Sequence, residues 1–359
     1  MDYLDSKSPY RTLDRRGMLR SIESLALQCQ QAWDEARRVR VPASYRRIRS
    51  VVINGMGGSG LGGHIIDALF GGRLRVPFTV VNSYTLPGWV GRDTLYVLSS
   101  YSGTTEEVLA TVAAARRRRA KLMVICAGGK LAAVARRYRI PAYIFTPNFN
   151  PCNQPRMGLG YAVVGLVTLL RQCGLLQLAN GEFRAAVQRI VSLHRKFGSA
   201  VPAAQNAAKR MAHQLHRRVP IVIAAGHLAG NAHALANQIN ENSKNFTAYF
   251  TVSELNHHLL EGLRFPATNR SSLMFLSIES GLYLPRIQQR FAITRRVLAR
   301  TRTAVTVYRA TSPTALGQVF EVLLFGSYVN YYLALLNRVD PSPIPYVDYF
   351  KQQLDRIVR

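Results

Sequence analysis

The chain has 359 residues, 48% of them hydrophobic, a net charge of +28, and four cysteines without any CxxC spacing. That length buries a substantial core and, at about 150 residues per domain, predicts two domains. The scattered thiols Cys29, Cys126, Cys152 and Cys173 exclude a disulfide framework and a zinc site, and fit a reduced, cytoplasmic protein.

The first twenty residues are polar and lack the apolar centre of a signal peptide. Residues 161–170 and 319–336 are short or interrupted, below the roughly 20 consecutive apolar residues of a membrane span. A soluble protein with no membrane partner is expected. The basic charge is mostly arginine, in runs at 116–119, 136–137, 217–218, 295–296 and 300–302. Such a field draws in anions. The runs are dispersed and no aromatic residues interleave with them, so they form no stacking platform for nucleic acid.

Helical periodicity runs through Leu19, Ile22, Leu25, Ala26 and Trp33 and predicts a helix over 17–38. Residues 50–54 read as a buried strand, ending in a glycine loop at 55–63, with a helix over 64–70. Strands follow at 76–81, 94–98, 121–127 and 142–145, with helices at 106–118 and 131–137. A turn-rich stretch at 147–156 precedes a helix at 157–173. The second half repeats this logic: helices near 182–196 and 203–216, strands at 220–224, 272–277 and 304–308, and helices at 286–300 and 315–336. The alternation predicts α/β architecture with parallel sheets flanked by helices, built as an internal duplication.

Two loops carry the chemistry. Ser100, Ser102, Thr104 and Thr105 crowd the start of a helix after a strand, where hydroxyls and backbone N–H groups suit a phosphate. The glycine run at 55–63 superficially fits GxGxxG. However, the next strand ends in Asn82 and Ser83, with no acid for a ribose, and the run lacks a P-loop lysine.

Gly-Met-Gly-Gly-Ser-Gly-Leu-Gly-Gly at 55–63, Ser-Tyr-Ser-Gly-Thr-Thr-Glu-Glu at 100–107, Asn-Gln-Pro-Arg at 153–156, Asn-Glu-Asn-Ser-Lys at 240–244 and Glu-Leu-Asn-His at 254–257 resemble the SIS (sugar isomerase) fold. More narrowly, they resemble the bifunctional phosphoglucose/phosphomannose isomerases. The resemblance runs from about residue 17 through nearly the whole chain. It implies two SIS-type domains, here 1–155 and 156–359, a homodimer and no cofactor; His213, His216, His227 and His233, whose spacing lacks a nearby carboxylate or cysteine partner, predict no metal. The implied reaction interconverts glucose 6-phosphate, and mannose 6-phosphate, with fructose 6-phosphate through an enediolate.

By the same resemblance, Gly57, Gly58 and Ser59 match the first substrate loop, and Ser100, Ser102 and Thr105 the phosphate clamp. Arg156 matches the arginine that steadies the enediolate, for which a planar permanent cation is suited. Glu241 matches the base. His257 matches the ring-opening histidine, supplied across the dimer interface, with His258 as its competitor. Lys351 matches a lysine assisting at the ring oxygen. In the dual enzymes a small hydroxyl residue is expected in the pocket wall, within 341–346. His213, His216, His227 and His233 read as structural. One departure stands out: where relatives carry Arg-x-Lys-x-Gln before the base, 233–238 keeps only Gln238. The alternative function is a non-catalytic SIS module that senses a sugar phosphate. Phosphoheptose isomerases and the isomerase half of glucosamine-6-phosphate synthase differ in length or domain content.

Overall fold

The structure is a computed structural model and describes residues 2–357. It begins with the short helices α1 (Ser8–Thr12) and α2 (Met18–Glu23) and the longer α3 (Leu25–Ala36). The single helix expected over 17–38 is thus two. The break is at Ser24, whose ψ of 6° leaves the helical range.

β1 (Ser50–Asn54) leads into α4 (Gly57–Phe70), then β2 (Phe78–Val81), β3 (Thr94–Ser100) and α5 (Glu106–Arg117). β4 (Lys121–Cys126), α6 (Gly129–Arg137) and β5 (Ala142–Ile144) complete the first sheet. Its strands are all parallel, in the order β2-β1-β3-β4-β5. Central parallel strands are covered on both faces, which is why β3 carries the unbroken apolar run 95–98 and is buried throughout. The glycine run is not a loop: from Gly57 onward it is the first two turns of α4.

α7 (Leu159–Gln172) packs on α3 and α4, and α8 (Asn180–Phe197) and α9 (Ala207–Leu215) follow. The second sheet uses β6 (Val219–Ala224), with α10 (Ala229–Gln238) behind it, and β7 (Ala248–Thr251). Next come α11 (Val252–Gly262), α12 (Asn269–Ser272), β8 (Leu273–Ser280), α13 (Pro285–Arg300) and β9 (Ala304–Ala310). The order is β7-β6-β8-β9, again all parallel. β7 escaped the sequence pattern because it runs straight into α11 at Val252, with no turn residue to mark its end. α14 (Ala315–Leu336) and α15 (Pro345–Ile357) come last. α14 is long and apolar enough to cross a membrane by length and composition, yet every residue from Leu316 to Leu335 is buried. It is the core helix against which α8, α9 and α10 pack.

α4 and α10 bring the two halves together. Counting back from Gln238, the two basic positions of the relatives' pattern fall on Ala234 and Ala236, both buried in this contact region. Beside them the rings of His64 and His233 lie 4.6 Å apart, and His233 stacks on Tyr249 at 4.4 Å. Burial, with a smaller push from His64, lowers the His233 pKa to about 4. Between pH 6.5 and 4 the unfolded chain binds a proton at His233 that the native chain refuses, so stability falls as pH falls through that window. His233→Phe should flatten this decline, by on the order of 2 kcal/mol between pH 7 and 4. Urea denaturation at several pH values, wild type against variant, measures it.

Candidate active site

The site forms where the C-terminal end of the first sheet meets the turn after α10. β3 ends at Ser100, and its Oγ collects the following loop: it accepts from the N–H of Gly103 at 3.0 Å and of Thr105 at 3.4 Å. Ser100 Oγ and Thr105 Oγ1 are 2.7 Å apart, as Ser102 Oγ and Thr104 Oγ1 are 2.9 Å apart. Gly103 has φ +69°, and a Cβ there would lie 1.8 Å from the Gly128 carbonyl oxygen, so no other residue fits. Ser102 and Thr104 are exposed at the rim, while Ser100 is buried. Hydroxyls thus cluster at the start of α5, whose first turn has no side-chain cap.

This loop is bolted to the start of α4. Ser59 Oγ accepts from the Tyr101 N–H at 2.7 Å, and Ser99 Oγ donates to the Ser59 carbonyl at 2.9 Å. Ser59 is therefore engaged and buried, and Gly57 is the exposed member of the α4 turn. Gly58 is where α4 touches the next component: a Cβ would sit 2.6 Å from the backbone nitrogen of Arg156. Asn150 ties the pieces together, donating to Tyr101 Oη and to the Gln154 carbonyl, each at 2.9 Å.

Arg156 is the centre of the arrangement. Its side chain is 1% exposed, and all five N–H donors have partners. Nε donates to Asn242 Oδ1. Nη1 donates to Gln154 Oε1 at 2.7 Å and to Glu241 Oε2 at 3.1 Å. Nη2 donates to the carbonyls of Pro341 at 3.1 Å and Ser342 at 2.8 Å. Burial pulls the guanidinium pKa down, and the Glu241 carboxylate opposes that. Glu241 keeps 27% of its side chain accessible, while the arginine it holds is buried.

Glu241 lies on a π-helical turn, Ile239–Ser243, that ends at Lys244 in the left-handed conformation, φ +53°. Such turns recur at functional sites because they re-aim side chains off a regular helix. Lys244 Nζ donates to the Glu241 carbonyl at 2.5 Å and approaches that of Pro341 at 3.4 Å. Burial and the neighbouring Arg156 lower its pKa to about 8.

Residues 204–354 match the model of the bacterial phospho-glucose isomerase C-terminal SIS domain. A bifunctional phosphoglucose/phosphomannose isomerase of Caldicellulosiruptor bescii is 30% identical over 345 residues, spanning 95% of this chain and 99% of that protein. A second, from Thermoplasma acidophilum, is 26% identical over 88% of this chain and 94% of its own. A solved hypothetical protein of Thermus thermophilus shares the fold, with a TM-score of 0.73 at 17% identity over 98% of this chain and 93% of its own. The chain belongs to the bifunctional phosphoglucose/phosphomannose isomerase family.

The structure brings together Gly57, Gly58, Ser59, Ser100, Ser102, Thr105, Arg156 and Glu241 through the bonds and contacts described. It does not bring in His257 or Lys351. His257 and His258 are exposed on α11, Lys351 is exposed on α15, and no hydrogen bond among the described residues links them to Arg156 or Glu241. Sequence reading missed Asn242 and Asn330. Asn242 is wholly buried and donates to Asn330 Oδ1 at 2.7 Å. Asn330 donates to Gln238 Oε1 at 3.1 Å, and Gln238 donates back to the Arg156 carbonyl at 2.9 Å. The second asparagine of Asn-Glu-Asn was the available signal; Asn330, inside an apolar helix, gave none. Asn242→Ala strands the Arg156 Nε donor in the interior. It should destabilise the protein by about 1–3 kcal/mol, read by urea denaturation.

Proposed function

We propose that this isomerase interconverts glucose 6-phosphate, and mannose 6-phosphate, with fructose 6-phosphate through an enediolate. The observation that carries the reading is the accessible Glu241 carboxylate 3.1 Å from a buried, fully bonded Arg156, beside a hydroxyl loop fit for a phosphate.

The phosphate sits on Ser100, Ser102 and Thr105 and on the uncapped start of α5, a dipole end that favours negative charge. Gly57 and Gly58 border the sugar. Glu241 takes the C2 proton of the open-chain aldose and electrons move into the C1 carbonyl to give the enediolate; the O2 hydroxyl proton passes to O1, and as the C2 carbonyl forms the same carboxylate returns its proton to C1. Charge builds on the sugar oxygen during this step. Arg156, whose Nη1 holds the Gln154 and Glu241 side chains, steadies that charge through its field from behind the carboxylate. Ring opening falls to His257, donated by the second subunit of a homodimer, with Lys351 assisting at the ring oxygen. The exposed position of His257 on α11 suits a contribution from one subunit to another. Within 341–346, Ser342 is the small hydroxyl residue; it is buried, and its Oγ has no partner among the described residues. We assign it the wall position that permits the mannose branch.

Purified protein should convert fructose 6-phosphate to both products, assayed separately. Glu241→Gln should slow this by about 10²–10⁴-fold, the usual contribution of a general base. A full rate in that variant removes the base assignment, and a wild type that binds fructose 6-phosphate without turnover favours the sensor reading. Mixing Glu241→Gln and His257→Ala subunits should restore activity that neither has alone, because a mixed dimer holds one intact site. Ser342→Gln, which fills the space a small residue leaves, should lower the mannose 6-phosphate share of product more than the total rate.

A further inference from the structure

The four strands of the second sheet, β7-β6-β8-β9, correspond to β2-β1-β3-β4 of the first, and their registers align. Asn54 of β1 pairs with Leu98 of β3; Ile223 of β6 pairs with Ser277 of β8. Beyond each inner strand the chain turns through a glycine at the same offset and the same conformation, Gly57 at φ +47° and Gly226 at φ +48°. Counting onward along the neighbouring strand, Ser100 corresponds to Glu279. Each faces the next strand in the same way, Ser100 opposite Cys126 and Glu279 opposite Arg309. Each strand then leads to a helix, α5 or α13.

Glu279 is 5% exposed and surrounded by donors. Ser277 Oγ donates to its Oε1 at 3.1 Å, Arg309 Nη2 donates to Oε2 at 3.3 Å, and Arg295 Nη1 also bonds Oε1. A cavity of about 200 Å³ adjoins the cluster, bordered by Ser280, Gln288, Arg295 and Arg309. Buried carboxylates persist only when paired, and here the pair is two guanidiniums from α13 and β9. The first domain offers hydroxyls and backbone donors, with its carboxylates, Glu106 and Glu107, behind them in the first turn of α5; the second holds a carboxylate within its donors.

We infer that Glu279 is a resident anion filling the phosphate position of the second domain. It leaves one phosphate site per chain, and removing its charge opens a second one built on Arg295 and Arg309. The inference rests on the reading of residues 100–105 as the phosphate site. Calorimetric titration of the full chain with inorganic phosphate tests both separately. Wild type should bind one phosphate per chain, lost in Ser100→Ala and kept in Arg309→Gln. Glu279→Gln should bind a second phosphate, lost again when Arg309→Gln is added. A cooperatively melting Glu279→Gln protein that binds no more phosphate than wild type overturns the inference, as does a wild-type site that Arg309→Gln removes. If Glu279→Gln does not fold, the Arg309→Gln result alone decides: unchanged binding supports the resident anion, and lost binding overturns it. If Ser100→Ala keeps the wild-type site while Glu279→Gln still gains an Arg309-dependent one, the first-loop reading fails and the resident anion is supported.

Discussion

The site depends on one interior cation. Arg156 is buried, and a buried guanidinium is tolerated only when its charge is matched and every donor is used. Its partners come from three places in the chain: Gln154, the π-helical turn at Glu241 and Asn242, and the 341–342 segment. Satisfying that one side chain fixes the end of α10, the entry to α15 and the turn after the first sheet relative to one another. The second layer follows from the first. Asn242 needs Asn330, Asn330 needs Gln238, and Gln238 closes on the Arg156 backbone. Polar residues inside the apolar α14 thus have a reason to be there.

The basic composition has structural uses besides attracting anions. Arg119, Arg139, Arg217, Arg302 and Arg338 each stand in the left-handed conformation just past a helix, a place usually given to glycine. The charge there complements the negative end of the helix, offsetting part of the backbone cost. Other arginines lie over rings. Arg116 is 3.4 Å from the Tyr138 centroid, and Arg37 and Arg171 flank Trp33 at 5.6 and 5.4 Å. Glu279 extends the same economy to the second domain, where two guanidiniums surround one carboxylate.

Local signals were legible wherever one segment carried the information. β1, α13 and α14 were readable because β-branched runs and helical spacing are properties of neighbours in sequence. The hydroxyl loop was readable because strand, turn and helix start are contiguous. The glycine run misled, since glycines usually mark a loop. Here they let α4 begin at once and lie against the backbone of Pro155 and Arg156. β7 had no turn residue to separate it from α11, and the break at Ser24 was too local to show in the period.

By itself the sequence determined the α/β alternation, the duplication, the hydroxyl-rich helix start at residues 100–105 and, through motif resemblance, the family. Only the tertiary structure decided that Arg156 and Glu241 are a pair, that Ser59 is a bolt and not a free donor, and that Glu279 answers to Ser100. These are facts about residues 85, 42 and 179 positions apart. Sequence patterns record periodicity and local preference; the satisfaction of a buried charge is settled across the whole chain at once, when the two halves close on it.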